Sequence, residues 1–255
     1  MSNNRYSRQE IFKPIGKDGQ RRLKESCAVV VGCGALGSRA AELLSRAGVG
    51  RIRIVDRDVV EWSNLQRQAL FTEDDARGVL PKAAAAEAHL RAINSDIAVE
   101  GVVADFTSWN ALDVLRGANV VVDGLDNFEA RYLLNDACVK LGIPWIYAGA
   151  VSSYGTTMNI LPKETPCLRC VFEELPPAGG ETCDTAGVLG SVVALISSVE
   201  ANEAVKILTG NRAALRKTLL TCDLWENRIS EITLPEAPRE NCPACSRGEF
   251  SHLEG

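Results

Sequence analysis

Two Cys-x-x-Cys pairs, Cys167/Cys170 and Cys242/Cys245, stand 72 residues apart, with Pro166 before the first and Pro243 inside the second. A single pair suits zinc or redox chemistry equally. Two such pairs predict a tetrahedral four-thiolate zinc site that ties the C-terminus to the body; with no open coordination position, it would be structural. A second constellation opens at Gly32-Cys33-Gly34-Ala35-Leu36-Gly37, whose glycines let backbone approach a phosphate at a helix N-terminus. Asp56 follows Gly34 by 22 residues, the spacing of an acid that binds ribose hydroxyls. Alone, these two features suit NAD or FAD as well as any nucleotide.

The run from Asp56 to Gln68 adds an amide, Asn64, and a guanidinium, Arg67, just beyond that acid. Lys82 follows Pro81, a residue favoured at the first helical position, so its ammonium is expected beside a helix N-terminus. Arg67 and Lys82 together suit a triphosphate, although each alone also reads as a solvated surface charge. The run Asp123-Gly124-Leu125-Asp126-Asn127 closes an apolar stretch with carboxylates that suit Mg²⁺, and Asp126 also suits capping of the helix that starts at Phe128. No GxxxxGK[ST] loop occurs in the sequence, so a bound triphosphate would be held without that motif.

These groups need a scaffold, and the apolar periodicity supplies one. Short apolar runs at Ala28–Val31, Ile97–Val103, Asn119–Asp123 and Trp145–Ala148, with an alternating strand at Arg51–Asp56, are separated by helical stretches at Ser38–Ala47, Pro81–Ile93, Ser108–Leu115 and Phe128–Leu141. The alternation predicts an α/β, doubly wound, Rossmann-like and mostly parallel sheet with helices on both faces. Beyond Gly149, Thr156–Leu161 and Thr218–Thr233 read as an antiparallel C-terminal extension around a long helix near Val188–Leu208. We expect one domain over residues 1–255: an N-terminal arm and helix (1–26), a nucleotide-binding part (27–149) and a part carrying the zinc knuckles (150–255). Glu173–Thr185, with Pro176-Pro177 and Gly179-Gly180, is the expected mobile segment.

Composition narrows the function classes. The chain has 255 residues, 46% of them hydrophobic, enough for a sizeable core, and a net charge of −5 that offers no general attraction to nucleic acid or anionic membranes. The polar start, MSNNRYSRQEIFK, lacks the apolar stretch of a secretory signal, and a cytoplasmic location is expected. Nine cysteines in a reducing compartment then read as thiols or ligands, with Cys27, Cys33, Cys138 and Cys222 as inert core residues. Only two histidines occur, so a histidine-based triad is disfavoured; His89 reads as a surface helix residue and His252 as part of the tail.

Taken together, Arg5-Tyr6-Ser7-Arg8-Gln9, the glycine turn, Ser63-Asn64-Leu65-Gln66-Arg67-Gln68, Pro81-Lys82, Asp123–Asn127 and Pro166-Cys167-Leu168-Arg169-Cys170 resemble the ThiF/MoeB/HesA family of ubiquitin-activating-type enzymes over roughly residues 4–246. The resemblance implies an ATP-dependent adenylyltransferase. Its substrate would be the C-terminal glycine carboxylate of a ubiquitin-like sulfur-carrier protein ending in Gly-Gly, for thiamine, molybdopterin or related sulfur transfer. It implies that Asp56 holds the ribose, that Asn64, Arg67 and Lys82 hold phosphates with Gln68 in the same nucleotide-binding set, and that Asp126 is the Mg²⁺-associated catalytic acid. Arg8 would reach the ATP of the other subunit of a homodimer. Cys183, in Thr182-Cys183-Asp184-Thr185-Ala186-Gly187, is by the same resemblance the candidate for a covalent link to the carrier or for sulfur handling. The sulfur donor would be a separate cysteine desulfurase or rhodanese.

Three readings compete with this one. An NAD-dependent oxidoreductase rests on the glycine turn and Asp56 alone and lacks an evident proton-transfer residue. A non-catalytic subunit of a heterodimeric activator is opposed by the presence of Arg8, Arg67, Lys82 and Asp126. Relatives that adenylate a peptide or modify tRNA share the ATP residues, and the knuckles favour the sulfur-carrier branch.

Overall fold

A computed structural model describes residues 5–173, 183–235 and 238–254. Its strands are β1 (Cys27–Val31), β2 (Arg51–Val55), β3 (Ala98–Val102), β4 (Val120–Asp123), β5 (Trp145–Val151), β6 (Tyr154–Ile160), β7 (Thr218–Asp223) and β8 (Arg228–Thr233). They form one sheet in the order β3-β2-β1-β4-β5-β6-β7-β8. Strands β1 to β5 pair in parallel, and β5 to β8 pair antiparallel. The antiparallel extension therefore continues the same sheet.

The helices are α1 (Ser7–Ile11), α2 (Gly16–Glu25), α3 (Ala35–Ala47), α4 (Glu73–Arg77), α5 (Lys82–Ile93), α6 (Ala111–Leu115), α7 (Phe128–Leu141), α8 (Leu168–Val171), α9 (Cys183–Ala186) and α10 (Gly190–Thr209). Both faces of the parallel part are covered, which is why β1 (CAVVV) is apolar and buried at every position instead of alternating. Its neighbours in sequence nevertheless divide between two cores, as a pleated strand requires. Ala28 and Val30 join Leu44, Leu90 and Leu208 from α3, α5 and α10. Val29 and Val31 join Leu115, Leu134 and Trp145 on the other side. At the far edge the protection ends: every residue of β8 is exposed.

Turn chemistry sets the helix limits. α3 and α7 stop at Gly48 and Gly142, both left-handed, with φ of 85° and 68°. Pro81 sits one place earlier than expected. It occupies the cap and Lys82 is the first helical residue, with its N–H bonded to the Asp58 carbonyl. No helix among the described residues is long and apolar enough to cross a membrane.

Candidate active site

The order of strands reverses between β1 and β4, the position at which doubly wound sheets bind ligands beyond their carboxyl ends. Three turns meet there: Gly32–Gly37 after β1, Asp56–Asp58 after β2, and Gly124–Asp126 after β4. Gly32 has φ of 87°, and a Cβ on it would lie 2.5 Å from the Gly124 carbonyl oxygen. A Cβ on Gly37 would lie 1.9 Å from the Gly32 oxygen. Both glycines are therefore required by the protein's own packing. Gly34 differs, since its nearest neighbour would be the Gly124 oxygen at 3.8 Å. The space spared by the middle glycine faces outward at the N-cap of the 13-residue α3, where a phosphate can approach free N–H groups.

Asp56 links two of the turns. Its Oδ2 accepts from the Cys33 N–H at 2.6 Å and its Oδ1 from the Asp58 N–H at 2.7 Å. Burial raises its pKa, against which these backbone donors act. Lys82 is buried, and its Nζ donates to Asp58 Oδ2 at 3.0 Å. The expected phosphate cation is thus already paired, to a carboxylate that sequence reasoning did not single out. The Asp-x-Asp alternation of residues 56 and 58 is the signal that could have found it.

The segment after β2 turns through a short 3₁₀ helix, Trp62–Asn64. Asn64 is buried and its Oδ1 accepts from the Glu61 N–H at 3.1 Å in a reciprocal cap, so this amide shapes the turn. Arg67 is half-buried and donates from Nη1 to the Ser63 carbonyl. It lines a cleft of about 220 Å³ with Arg39 and the start of α10, Gly190 and Val193. Gln68 is buried with its Oε1 unpaired among the described residues.

The Asp123–Asn127 run separates into three roles. Asp123 is fully buried, and its Oδ2 accepts from Arg131 Nε at 2.9 Å. It is thereby withdrawn from metal binding, which corrects the expectation that carboxylates of this run serve together. Asn127 caps α7, its Oδ1 accepting from the Ala130 N–H at 2.9 Å. Capping is therefore not the task of Asp126. The Asp126 carboxylate is exposed at the carboxyl edge, touched at Oδ1 by the neighbouring Asn127 amide at 3.0 Å.

Below this edge lies a cluster that periodicity did not expose. Arg131, on α7, is buried; despite that burial, the Asp123 carboxylate holds the guanidinium above its ordinary pKa. Glu200, on α10, is also fully buried, with no ordinary hydrogen bond from the described residues to either carboxyl oxygen. Burial, and after it the charge of Asp123, push its pKa well above the usual carboxylate range. A glutamate and an arginine inside helical stretches read as surface residues. The available signal was Arg131 one turn beyond the Asn127 cap, where α7 passes the end of β4.

Arg8 lies elsewhere. α1 is fastened to the amino edge of the sheet: Gln9 Nε2 donates to the Ala47 carbonyl at 2.8 Å, and Tyr6 accepts from Asn94 at 2.9 Å. Those contacts are at the end of α3 remote from Gly34, about 20 Å from the glycine turn at 1.5 Å per helical residue. α9 begins at Cys183, but the Cys183 side chain and residues 174–182 lie outside the described residues.

The four knuckle cysteines do converge. Their Sγ atoms all lie within 4.8 Å of one another, with Cys167–Cys242 at 3.5 Å, Cys170–Cys245 at 3.4 Å and Cys167–Cys170 at 3.9 Å. Tetrahedral zinc with Zn–S near 2.3 Å requires sulfur separations of about 3.8 Å, whereas a disulfide requires about 2.05 Å. The Arg239 N–H also points to Cys170 Sγ at 3.4 Å, as suits a thiolate. Cys27, Cys33, Cys138 and Cys222 are buried, and burial raises each thiol's pKa. The histidines are less peripheral than expected. His89 Nε2 meets Asp75 Oδ2 at 2.8 Å, and His252 stacks on Tyr132 with ring centroids 5.3 Å apart.

Known proteins resemble this chain in sequence and in fold. The Bacillus subtilis sulfur carrier protein ThiS adenylyltransferase is 50% identical over 249 residues, covering 98% of this chain and 73% of the relative. The Haloferax volcanii SAMP-activating enzyme E1 is 41% identical, covering 98% and 91%. A Thermus thermophilus sulfur carrier protein adenylyltransferase is 42% identical, covering 94% and 90%. The crystal structure of Escherichia coli MccB shares the fold, with a TM-score of 0.82 at 24% identity over 96% of this chain and 72% of that one. The ThiF family model matches residues 6–244, and the chain belongs to the ThiF family.

Proposed function

We propose that this protein adenylates the C-terminal glycine carboxylate of a small ubiquitin-like sulfur-carrier protein. The observation that carries the reading is the meeting of the glycine turn, Asp56 and the turn that bears the unburied carboxylate of Asp126 at one sheet edge, with Lys82 paired to Asp58 beside them. It is supported by the sulfur-carrier adenylyltransferases named among its relatives. A carboxylate oxygen attacks the α-phosphorus of ATP, the bond from that phosphorus to the oxygen bridging to the β-phosphate breaks, and pyrophosphate leaves. The carboxylate arrives ionised, so no general base is needed, and alignment and charge stabilisation are the protein's tasks.

In this scheme the glycine turn and Asp56 orient the nucleotide, with Asn64 and Gln68 shaping its floor. Arg67 and Lys82 oppose the phosphate charge, Lys82 exchanging part of its pairing with Asp58 for phosphate. Asp126 would hold Mg²⁺, which when bound offsets charge on the phosphates. The four cysteines fit zinc, which would fix the C-terminal knuckles without entering the reaction. Residues 1–255 act as one adenylation unit in the cytoplasm, a location supported by four cysteines whose sulfurs are spaced for a metal and not for disulfides. The position of Arg8 on the opposite edge from its own glycine turn supports action on a second subunit, with the exposed Ile11 and Phe12 beside it as contact residues. Cys183 is retained as the thiol that takes the acyl group once AMP is a leaving group. A separate cysteine desulfurase or rhodanese would supply sulfur.

The test is incubation with Gly-Gly-ending carriers and ATP, following carrier-dependent ATP–pyrophosphate exchange and the intact mass of the carrier. We expect exchange and an added AMP, with a hydroxylamine-sensitive enzyme–carrier thioester lost in Cys183→Ala. Absence of exchange with every carrier would refute the function; exchange without a conjugate would remove only the role of Cys183.

A further inference from the structure

The turn that presents Asp126 is held by a side chain with no part in the scheme above. We propose that Arg131 is a positioning residue for adenylation, its guanidinium setting the Gly124–Asp126 turn so that the Asp126 carboxylate stands in register with the glycine turn. The proposal rests on the reading of Asp126 given above.

Both backbone polar groups of Leu125, the residue before Asp126, end on one buried ion pair. Its N–H donates to Asp123 Oδ1 at 2.9 Å, and its carbonyl accepts from Arg131 Nη2 at 2.6 Å. The same Nη2 donates to the Ala148 carbonyl on β5 at 2.8 Å, while Nε holds Asp123 Oδ2. A single guanidinium therefore joins the end of β4, the turn after it and the neighbouring strand. Its plane is fixed as well, with the Phe128 and Tyr147 rings each 5.4 Å from its central carbon. Preceding Leu125, Gly124 donates its N–H to Val31 at the end of β1 and packs its carbonyl against Gly32. The turn is thus confined between the glycine turn on one side and Arg131 on the other.

Lysine cannot reproduce this arrangement. An ammonium keeps the charge opposite Asp123, but it has neither the planar fork nor a surface for stacking. Release of the Leu125 carbonyl frees the peptide that leads into Asp126, and a shift of about 1 Å at a reacting group costs on the order of 100-fold in rate. The nucleotide's own contacts at Gly34, Asp56 and Arg67 do not pass through Arg131, so binding should be spared.

The test is carrier-dependent ATP–pyrophosphate exchange in the full-length protein carrying Arg131→Lys, Asp126→Ala or both. Measurements are made well below each variant's melting temperature, with ATP affinity determined by calorimetry. Because removing one member of a buried pair can unfold a protein, an Asp123→Asn/Arg131→Gln variant, which removes both charges, is run alongside. The expected result is a fall in kcat of about 10- to 100-fold for Arg131→Lys, with KM for ATP and ATP affinity within about 3-fold of wild type. The paired variant should show the same split. In the Asp126→Ala background, Arg131→Lys should cause no further loss, since the arginine acts through that carboxylate. A wild-type kcat in both Arg131 variants would overturn the proposal, as would losses that multiply in the double variant. Full exchange in Asp126→Ala alone would instead refute the role of Asp126 and remove the proposal with it.

Discussion

The nucleotide edge and the cysteine knot both hold irregular backbone in place, and they do so by different physics. At the nucleotide edge, turns are locked by backbone contacts and by hydrogen bonds to the half-buried Asp56 and the buried Asp123 and Arg131. At the knot, the four-residue α8 and the 239–247 segment bury Leu168 and Ala244 in the core shared with α7, and four sulfur atoms gathered within 4.8 Å join them. The first region is held by the sheet's own backbone and buried polar groups, whereas the second adds sulfur ligands to a segment packed against α7. Damage to each should therefore appear in different measurements.

The largest expected effect isolates chemistry from folding. Asp126 is exposed and caps nothing, so Asp126→Ala should leave the melting temperature nearly unchanged while lowering carrier-dependent exchange by on the order of 100-fold or more. A comparable loss of stability would show that the turn depends on this carboxylate for its fold. The knot should give the inverse pattern. Cys242→Ser should abolish about one equivalent of bound zinc and lower the melting temperature by about 10 °C, the shift expected for a few kcal/mol in a chain of this size. ATP affinity measured below the transition should persist. Freshly purified wild type without zinc would end this side of the comparison.

A sharper test lies within the glycine turn itself. Gly37→Ala would force a Cβ to 1.9 Å from the Gly32 oxygen and should destabilise the fold by about 3 kcal/mol or more, whereas Gly34→Ala meets nothing closer than 3.8 Å. Gly34→Ala should melt within a few degrees of wild type yet bind ATP about 10-fold or more weakly, because the methyl group occupies the phosphate approach. Equal ATP affinity in Gly34→Ala would place the phosphates elsewhere.

The smallest effect concerns the buried acid. Glu200 has a raised folded-state pKa, so it keeps its proton where the unfolded chain has lost it. The unfolded state then binds fewer protons, and this group's contribution to stability falls as pH rises from the ordinary glutamate value towards the folded one. Glu200→Gln should remove that loss, so its advantage in denaturant melts should grow from acid to neutral pH. A gap independent of pH would mean that Glu200 is ionised beside Arg131.

The sequence disclosed β1 and β4 because burial on both faces leaves uninterrupted apolar runs, β2 through its alternation, and the helices through their periodicity and terminal glycines. The zinc knuckles were legible for a related reason, since ligand spacing is a local property. The Lys82–Asp58 pair and the division of labour among Asp123, Asp126 and Asn127 were not, because side-chain pairing across turns leaves no period in the chain. Arg131 and Glu200 were hidden further, as charged residues whose burial follows only from how α7 and α10 cross the sheet. Of the residues assigned to the nucleotide, Asn64 illustrates the limit: its amide was noticed, but its use in a reciprocal cap required coordinates.

The N-terminal arm has a consequence for the thermodynamics of association. Arg5 donates to the Ile93 carbonyl, Gln9 to Ala47, Asn211 to the Pro14 carbonyl and Arg22 to the Thr209 carbonyl, so the segment around exposed Arg8 is ordered within a single chain. A flexible arm would lose backbone freedom on meeting a partner, at a cost of roughly 1–2 kcal/mol for each residue fixed. Here that entropy is already spent during folding. A second subunit would encounter a preformed surface, and only the Arg8 side chain and its immediate neighbours would remain to be immobilised.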